Sequence, residues 1–435
     1  MNIFIPEKFR PSSKLLKAIL VGIKLPHTGS GSGSLDELEG LATTAWYEPV
    51  ARMSQSLASI NPKTFIGKGK VQELLQAVKH HQADAVIFDE KLSPAQTRNL
   101  EDQLKCGVID RPWLILEIFR DHARTREAKT QVELARLKYA LPRLTKMWAH
   151  LSRQRGGIGM RDVGEKQIQL DRRLIRDQIA KLDKKLKGIH LEKQIQRKSR
   201  RNIFKVALVG YTNVGKSTLM NLLTGADTFV EDKLFATLDA TTRKIKKNFP
   251  YPVLLIDTVG LIDKLPHDLV ASFKSTLDEV RDANLLLNVV DVSHPDFRRQ
   301  METTRGLLGE LGVQETDSVL VFNKVDKIKD QTFIQDMARL YPDAVFVSCK
   351  KGTGMDNLRE AIVKCYEKNL IPMQAEIAYS QTDCLPEIRK HALIVKEVYN
   401  DKTLILDLRV FPGREGKVKS LLKGASATGR KPAAV

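Results

Sequence analysis

The stretch Gly210–Ser217, which reads GYTNVGKS, decides the fold of the chain around it. It follows an apolar run, Phe204–Val209, that is typical of a buried parallel strand, and it precedes Thr218–Leu223, which is typical of the start of a helix. A glycine-rich turn between a strand and a helix is the context in which backbone N–H groups bind phosphate. By itself, the motif also fits a chance glycine-rich turn. The predicted phosphate-binding residues are Gly210, Tyr211, Thr212, Asn213, Val214, Gly215, Lys216 and Ser217.

Side-chain chemistry assigns roles within this loop and within a second motif. Lys216 brings a positive charge to the outer phosphates, and Ser217 offers a hydroxyl to Mg²⁺. A second buried strand, Val253–Ile256, is followed by the sequence DTVG, where a carboxylate can hold Mg²⁺ through water and a glycine N–H can approach the terminal phosphate. The residues of this second motif are Asp257, Thr258, Val259 and Gly260.

A third motif favours guanine as the base. The apolar run Ser318–Phe322 leads into NKVD, and the carboxylate of Asp326 can accept two hydrogen bonds from the N1–H and the exocyclic amine of guanine. Adenine lacks that donor pair and would leave a buried Asp326 unpaired. Another short strand then ends at a loop that can contact the guanine oxygen. These motifs, in this order, predict a GTPase that converts GTP to GDP and phosphate, with base contacts from Asn323, Lys324, Val325, Asp326, Ser348, Cys349 and Lys350.

The segment between the phosphate loop and DTVG should contain a threonine that binds Mg²⁺ and senses the terminal phosphate. The stretch Leu234–Arg243 reads LFATLDATTR. By position alone, Thr237, Thr241 and Thr242 are all candidates.

Composition limits the partners and the compartment. The 435 residues are 42% hydrophobic and 28% charged, with a net charge of +19, which is ordinary for a soluble protein except for the excess of positive charge. That excess favours nucleic acid, a ribonucleoprotein or an anionic membrane surface, although solvating charge alone also explains it. The four cysteines lack metal-ligand spacing, which favours a reduced, cytoplasmic location. No apolar stretch approaches the ~20 residues of a membrane span.

The order of strand-like and helix-like segments predicts an α/β fold: a P-loop GTPase domain, a small N-terminal α/β domain with a long antiparallel helical hairpin, and a small C-terminal α+β domain. The segments Leu393–Val398 and Thr403–Leu408 flank Asn400-Asp401, which indicates a hairpin. A disordered tail is expected from Gly424. The predicted domain boundaries are 1–120, 121–201, 202–370 and 371–435.

Two helices with narrow apolar seams and many basic residues form the predicted hairpin. Between them, Ser152–Arg161 is rich in glycine and arginine and has no apolar period. Such a tip on a rigid basic lever can insert into a nucleic-acid cavity, whereas a flexible loop with solvating charge is the alternative. The seam residues are Leu134, Leu137, Leu141, Leu144, Ile168, Ile175, Ile179, Leu182, Leu186 and Ile189.

The chain resembles the HflX-type GTPases of the Obg-HflX branch of translation-associated GTPases, over nearly its whole length. The resemblance depends on short specific strings: FIGKGK at Phe65–Lys70, ARTRE at Ala123–Glu127, LSRQ at Leu151–Gln154 with the GGIG that follows, FATLD at Phe235–Asp239, LPHDLV at Leu265–Val270 and SHPD at Ser293–Asp296. It departs at Asp162–Glu165, where DVGE stands in place of the usual GPGE, and at Cys349, where alanine is common. The match weakens beyond Glu387.

The resemblance implies a GTPase that binds the large ribosomal subunit and splits stalled or hibernating ribosomes. Residues 151–161 and the N-terminal domain would contact ribosomal RNA, with the loop near the peptidyl-transferase centre and the free protein a monomer. It also implies that Thr237 and Ser217 are the Mg²⁺ ligands and that Lys216, Thr237 and Gly260 act in catalysis. The implied nucleotide-binding residues of the switch I segment are Phe235, Ala236, Thr237, Leu238 and Asp239.

Leu261 follows Gly260 where many small GTPases carry a water-orienting glutamine. Leucine cannot orient water, so we expect slow hydrolysis by the free protein and stimulation by the ribosome. Asn213 is either a ligand of K⁺ beside the phosphates or a simple loop residue. Two other functions remain open: a GTP-dependent RNA-binding or remodelling protein acting off the ribosome, and a basic scaffold peripherally associated with membranes.

Overall fold

A computed structural model of the chain describes residues 15–24, 33–143, 161–198, 203–226, 234–235, 237, 240–245, 249–264, 279–310, 312–313 and 316–427. The described residues form three sheets with helices packed against them. The predicted mixed α/β class is therefore confirmed.

The first sheet is parallel, with strand order β2-β1-β3-β4. Alternate residues of its central strand β1 face opposite sides, so that Ala18 and Leu20 pack with α1 and α4, whereas Ile19 and Val21 pack with α2 and α3. Its elements are β1 (Leu16–Lys24), α1 (Gly33–Thr44), β2 (Tyr47–Ser56), α2 (Lys68–His81), β3 (Ala85–Phe88), α3 (Pro94–Leu104), β4 (Gly107–Asp110) and α4 (Arg111–His122).

Strand β2 is absent from the sequence-based prediction. Its sequence, YEPVARMSQS, is largely polar, and Pro49 lies where the register with β1 shifts. Both features fit an edge strand, which needs no apolar run and tolerates proline. The strand therefore owes its conformation to pairing with β1 rather than to its own composition.

Two antiparallel helices follow, α5 (Arg126–Ala140) and α6 (Arg161–Lys198). Leu137 and Ile175 are buried between them, and Lys138 Nζ lies 3.5 Å from Asp183 Oδ1. The two helices run in opposite directions: Glu127, near the start of α5, pairs with Lys193, near the end of α6. Residues 152–160 of the glycine- and arginine-rich loop that was predicted between the helices lie outside the described residues, and Arg161 is the first residue of α6.

The second sheet has six strands in the order β10-β9-β8-β5-β7-β6, and β6 is its antiparallel edge. It places the ends of β5, β7, β8 and β9 side by side, and the predicted motifs follow those ends. Its elements are β5 (Phe204–Gly210), α7 (Lys216–Thr224), β6 (Thr241–Lys244), β7 (Val253–Asp257), β8 (Leu285–Asp291), α8 (Phe297–Glu310), β9 (Ser318–Asn323), α9 (Gln331–Leu340), β10 (Val345–Phe346) and α10 (Met355–Lys368).

The third sheet is antiparallel, with strand order β11-β13-β12. The hairpin that the sequence indicates around Asn400-Asp401 is present as β12 and β13. Helix α12 extends to Ala427, so the tail expected to be disordered from Gly424 is helical in its first residues. The elements are β11 (Ile371–Ala378), α11 (Leu385–Ile388), β12 (Ala392–Tyr399), β13 (Thr403–Val410) and α12 (Glu415–Ala427).

All four cysteines are free thiols. Within the described ranges, the helices lack any stretch that is both long and apolar enough to span a membrane.

Candidate functional site

The phosphate loop joins β5 to α7 and crosses close to the end of β9. Gly215 has φ 97° and precedes the first residue of α7. A Cβ at Gly215 would lie 2.3 Å from Asn323 Nδ2, so both the backbone conformation and the neighbouring side chain require glycine there. The Asn323 side chain in turn donates from Nδ2 to the carbonyl of Val214 at 2.7 Å. The sequence-predicted phosphate and base motifs are thus joined directly.

Lys216 lies folded across the loop. Its Nζ donates to the carbonyls of Gly210 at 3.1 Å and Tyr211 at 2.6 Å, and the side chain is buried. Burial lowers the pKa of Lys216 to about 8, although the Asp257 carboxylate opposes this by raising it. A phosphate would offer this ammonium group a charged acceptor in place of the two neutral carbonyls.

Three oxygen atoms that suit a hard cation lie together where β7 ends. Ser217 Oγ lies 2.6 Å from Asp257 Oδ2 and 2.8 Å from Thr237 Oγ1. Thr237 Oγ1 also lies 3.4 Å from Asp257 Oδ2. Burial raises the pKa of Asp257, and its Oδ1 is buried with no hydrogen-bond partner among the described atoms. Because carboxylate and hydroxyl oxygens are ligands that Mg²⁺ prefers, this cluster fits that ion.

Of the three threonines that position alone left open, Thr237 belongs to this oxygen cluster. Thr241 and Thr242 lie in β6, opposite Asp257 and Ile256 of β7. Their backbone is committed to the sheet, whereas Thr237 lies in the segment before it. The switch I residues Ala236, Leu238 and Asp239 lie outside the described residues.

The predicted base-binding residues are held to one another and to the phosphate loop. Ser348 Oγ donates to Asp326 Oδ1 at 2.5 Å, and this hydrogen bond is the main reason that the pKa of Asp326 is lowered. Cys349 donates its backbone N–H to Asn323 Oδ1 at 3.0 Å. Lys324 Nζ donates to the carbonyl of Asn213 at 2.8 Å and pairs with Asp291 at 2.8 Å. An ionised carboxylate fixed in this way can accept hydrogen bonds from guanine.

The DTVG motif is tied to the phosphate loop through the residue that follows it. Leu261 donates its N–H to the carbonyl of Gly210 at 3.1 Å and accepts from the N–H of Thr212 at 2.9 Å. A Cβ at Gly260 would lie 2.8 Å from Thr212 Cγ2 and 3.3 Å from Lys216 Nζ, so only glycine fits here without displacing the loop. The Leu261 side chain is buried and apolar. It therefore offers no group to a nucleophilic water.

Several residues from the first sheet reach this site, and the sequence analysis did not single them out. Glu37 accepts a 2.5 Å hydrogen bond from the hydroxyl of Tyr211, although 174 residues separate them. A cavity of about 600 Å³ opens beside this contact, between α1, the phosphate loop and α8. No local sequence signal could have indicated these contacts, since they arise only when the two sheets pack together.

Comparison with known proteins agrees with the geometry. The family described as "50S ribosome-binding GTPase" matches residues 205–324, and the families described as "GTP-binding GTPase N-terminal" and "GTP-binding GTPase Middle Region" match 32–120 and 122–200. The GTPase HflX of Flavobacterium psychrophilum is 50% identical over 323 residues, which cover 74% of this chain and 78% of that protein. The chain belongs to the HflX family of GTPases. It is therefore a GTP-binding enzyme that hydrolyses GTP, as the motifs predict.

Other HflX relatives cover more of the chain. The GTPase HflX of Magnetococcus marinus is 44% identical over 86% of this chain and 88% of its own length. Among solved structures, a GTP-binding protein from Sulfolobus solfataricus in complex with GDP is 26% identical and covers 80% of this chain and 98% of its own, with a TM-score of 0.45. Because the Magnetococcus marinus protein aligns with 86% of this chain, the similarity to HflX proteins includes the N-terminal, helical and GTPase parts of the chain.

The buried lysine predicts a pH dependence of nucleotide binding. Phosphates should restore the ordinary pKa of Lys216, so binding above pH 8 requires uptake of a proton. The apparent affinity for GDP should be nearly constant from pH 6.5 to 7.5 and should fall by up to about tenfold per pH unit above about pH 8. Titration of a fluorescent GDP analogue at several pH values measures this, and an affinity that stays constant to pH 9 would contradict it.

Proposed function

We propose that this chain is a ribosome-dependent GTPase that binds the large ribosomal subunit and separates stalled or hibernating ribosomes. Membership of the HflX family supports a translation-associated role, and the matching family description names 50S ribosome binding. The observation that carries the proposal is the basic antiparallel pair α5 and α6, which flanks a glycine- and arginine-rich segment in the sequence and precedes the GTPase domain along the chain.

Helix α6 provides the length and the charge for such a role. Its 38 residues correspond to roughly 57 Å at 1.5 Å per residue. Ile175 is buried against α5, which fixes one face of the helix. Basic side chains project from its exposed faces: Arg173, Arg176, Lys181, Lys184, Lys185 and Lys187. Closely spaced cations of this kind neutralise phosphates and give a salt-dependent affinity for RNA.

Within the GTPase site, we propose that Ser217 and Thr237 coordinate Mg²⁺ and that Asp257 holds the ion through water. The ion would neutralise charge on the outer phosphates. Lys216 would bind those phosphates, and the N–H of Gly260 would hold the terminal one. The proposed nucleotide contacts are the phosphate loop 210–217, the switch I segment 235–239, the DTVG motif, the NKVD motif and Ser348–Lys350.

The ribosome is proposed to complete this site. Leu261 is buried and apolar at the place where a polar side chain would orient water. An ordering of the switch segments by the large subunit would supply the missing stabilisation of the transition state. A cytoplasmic location, a monomeric free state and a K⁺ ion at Asn213 stay predictions.

Sedimentation tests the proposal. Purified 70S ribosomes are mixed with the chain and either a non-hydrolysable GTP analogue or GDP, and the mixture is separated on a sucrose gradient. We expect comigration with 50S subunits and loss of the 70S peak with the analogue only. The double substitution Arg153→Ala and Arg155→Ala should abolish splitting, whereas alanine substitution of Lys396 in β12 and Lys402 in the turn before β13 should not.

Two outcomes would contradict the proposal. Equal binding to protein-free RNA and to ribosomes, with the 70S peak intact, would favour the remodelling protein that acts off the ribosome. Flotation with anionic vesicles and no comigration with ribosomal particles would favour the membrane scaffold.

A further inference from the structure

The side chain of one switch I residue is buried against the N-terminal sheet domain. Phe235, two residues before Thr237, is 2% exposed. Its ring packs edge-on against Phe119 of α4, with 4.6 Å between the ring centroids and an interplanar angle of 87°. Phe119 itself is fully buried in the N-terminal domain. The aromatic pair therefore connects the metal-binding segment to a different domain.

The neighbouring residue makes a second contact of the same kind. Leu234 lies against Gly40 of α1, where an added Cβ would come within 3.0 Å of Leu234 Cδ1. Phe235 has φ 57°, a left-handed conformation that is strained for a residue with a Cβ. Strained backbone persists only where its surroundings fix it. Here the packing of both side chains on α1 and α4 provides that restraint.

The same domain also holds the phosphate loop and the segment after DTVG. The Tyr211 hydroxyl donates to Glu37 and accepts the N–H of Asp263 at 2.8 Å. Arg111, which is 1% exposed, donates to Glu37 at 2.5 Å, to Asp89 at 2.6 Å and to the carbonyl of Asp263 at 3.1 Å. The switch I segment, the phosphate loop and the segment after DTVG therefore all contact the N-terminal domain at α1 and α4.

We propose that the N-terminal domain is a structural part of the GTPase site, and that Phe119 acts through Phe235 to position Thr237 for Mg²⁺. Both phenylalanines are positioning residues. The inference rests on the proposed role of Thr237 as a Mg²⁺ ligand. If the aromatic contact is lost, Thr237 can leave the oxygen cluster, while the phosphate loop and the guanine-binding residues remain in place. The coupling is reciprocal: binding of Mg²⁺ and GTP at Thr237 strengthens the hold of switch I on the N-terminal domain.

The test uses the full-length chain with Phe235→Ala. We expect the affinity for a non-hydrolysable GTP analogue to fall about tenfold or more, the Mg²⁺ concentration for half-maximal hydrolysis to rise by a similar factor, and the affinity for GDP to change less than twofold. Phe119→Leu, which replaces the ring that contacts Phe235 by a smaller side chain but keeps the position apolar, should show the same pattern more weakly. Phe333→Ala, which removes an aromatic residue packed elsewhere in the GTPase domain, is the matched control. It should change neither the affinity for the GTP analogue relative to GDP nor the Mg²⁺ concentration for half-maximal hydrolysis.

The outcomes separate this inference from the proposed function. Equal losses for GDP and the GTP analogue in both phenylalanine variants would mean that the residues act only on folding, and no change in either variant would mean that they do not position Thr237. Each result overturns the inference. If Thr237→Ala itself leaves the Mg²⁺ requirement unchanged, the proposed metal site fails first. If Thr237→Ala raises that requirement and Phe235→Ala does not, only the inference fails.

Discussion

Asp326→Asn should lower the affinity for guanosine nucleotides by about 10³-fold, because the hydrogen bond from the exocyclic amine is lost and the one from N1–H loses its charged acceptor, and each hydrogen bond to a charged group contributes about 1.5–3 kcal/mol. The carboxylate is held by Ser348 at 2.5 Å, and the same hydrogen bond lowers its pKa, so it is ionised when nucleotide binds. Asparagine would present an N–H₂ group to the exocyclic amine of guanine, and two donors would face each other. Equilibrium titration with labelled GDP and GTP measures the loss.

The same substitution should change the preferred base rather than only weaken binding. Xanthine has a carbonyl where guanine has its exocyclic amine, so the asparagine N–H₂ can donate to it while the amide oxygen accepts from N1–H. We therefore expect the Asp326→Asn variant to bind xanthosine diphosphate more tightly than GDP.

Asp330→Asn is the matched control for this change. Asp330 accepts hydrogen bonds from Thr332 at the start of α9 and lies four residues beyond the motif. Its substitution should leave nucleotide preference unchanged. A variant at Asp326 that binds GDP within threefold of the original chain would show that this carboxylate does not select guanine.

The three motifs of the candidate GTPase site could be identified from the sequence because each motif is local. The phosphate loop, DTVG and NKVD each follow an apolar run, and the carboxyl ends of neighbouring parallel strands meet at one edge of a sheet. Strands β5 and β7 are neighbours here, and β8 alone separates β5 from β9, so the three strand ends lie along one edge. The spacing of Gly215 and Asn323 along the chain gives no hint that a Cβ at Gly215 would lie 2.3 Å from Asn323 Nδ2, but the motif identities already implied that both residues would surround one nucleotide.

Contacts between domains could not be predicted in the same way. Phe235 has the sequence character of any buried aromatic residue, and its partner Phe119 lies in an unremarkable apolar helix. The Tyr211–Glu37 hydrogen bond depends on how the two sheets pack together, and the hydrophobic pattern of the sequence does not predict that packing. Strand β2 was missed for a related reason, since its pairing partner rather than its own pattern makes it a strand.

Thr237→Ala should reduce GTP hydrolysis about 10²-fold or more, because it removes a proposed ligand of the Mg²⁺ ion that would stabilise the transferring phosphoryl group, and such stabilisation is worth several kcal/mol. The hydroxyl lies 2.8 Å from Ser217 Oγ and 3.4 Å from Asp257 Oδ2. The affinity for GDP should change less than twofold, since the threonine is proposed to act on the ion that meets the terminal phosphate. Single-turnover hydrolysis at saturating GTP, repeated over a series of Mg²⁺ concentrations, measures the effect.

Thr242→Ala is the control that distinguishes a metal ligand from a generic switch-segment threonine. Thr242 lies five residues later, in β6 opposite Ile256, and position alone made it an equal candidate. We expect its substitution to leave the rate and the Mg²⁺ dependence within twofold. If Thr242→Ala is the slower variant, the ligand has been misassigned and the Thr237 hydroxyl is only a hydrogen-bonding neighbour of Ser217. If Thr237→Ala is slower but higher Mg²⁺ gives no recovery, the hydroxyl orders switch I without binding the ion.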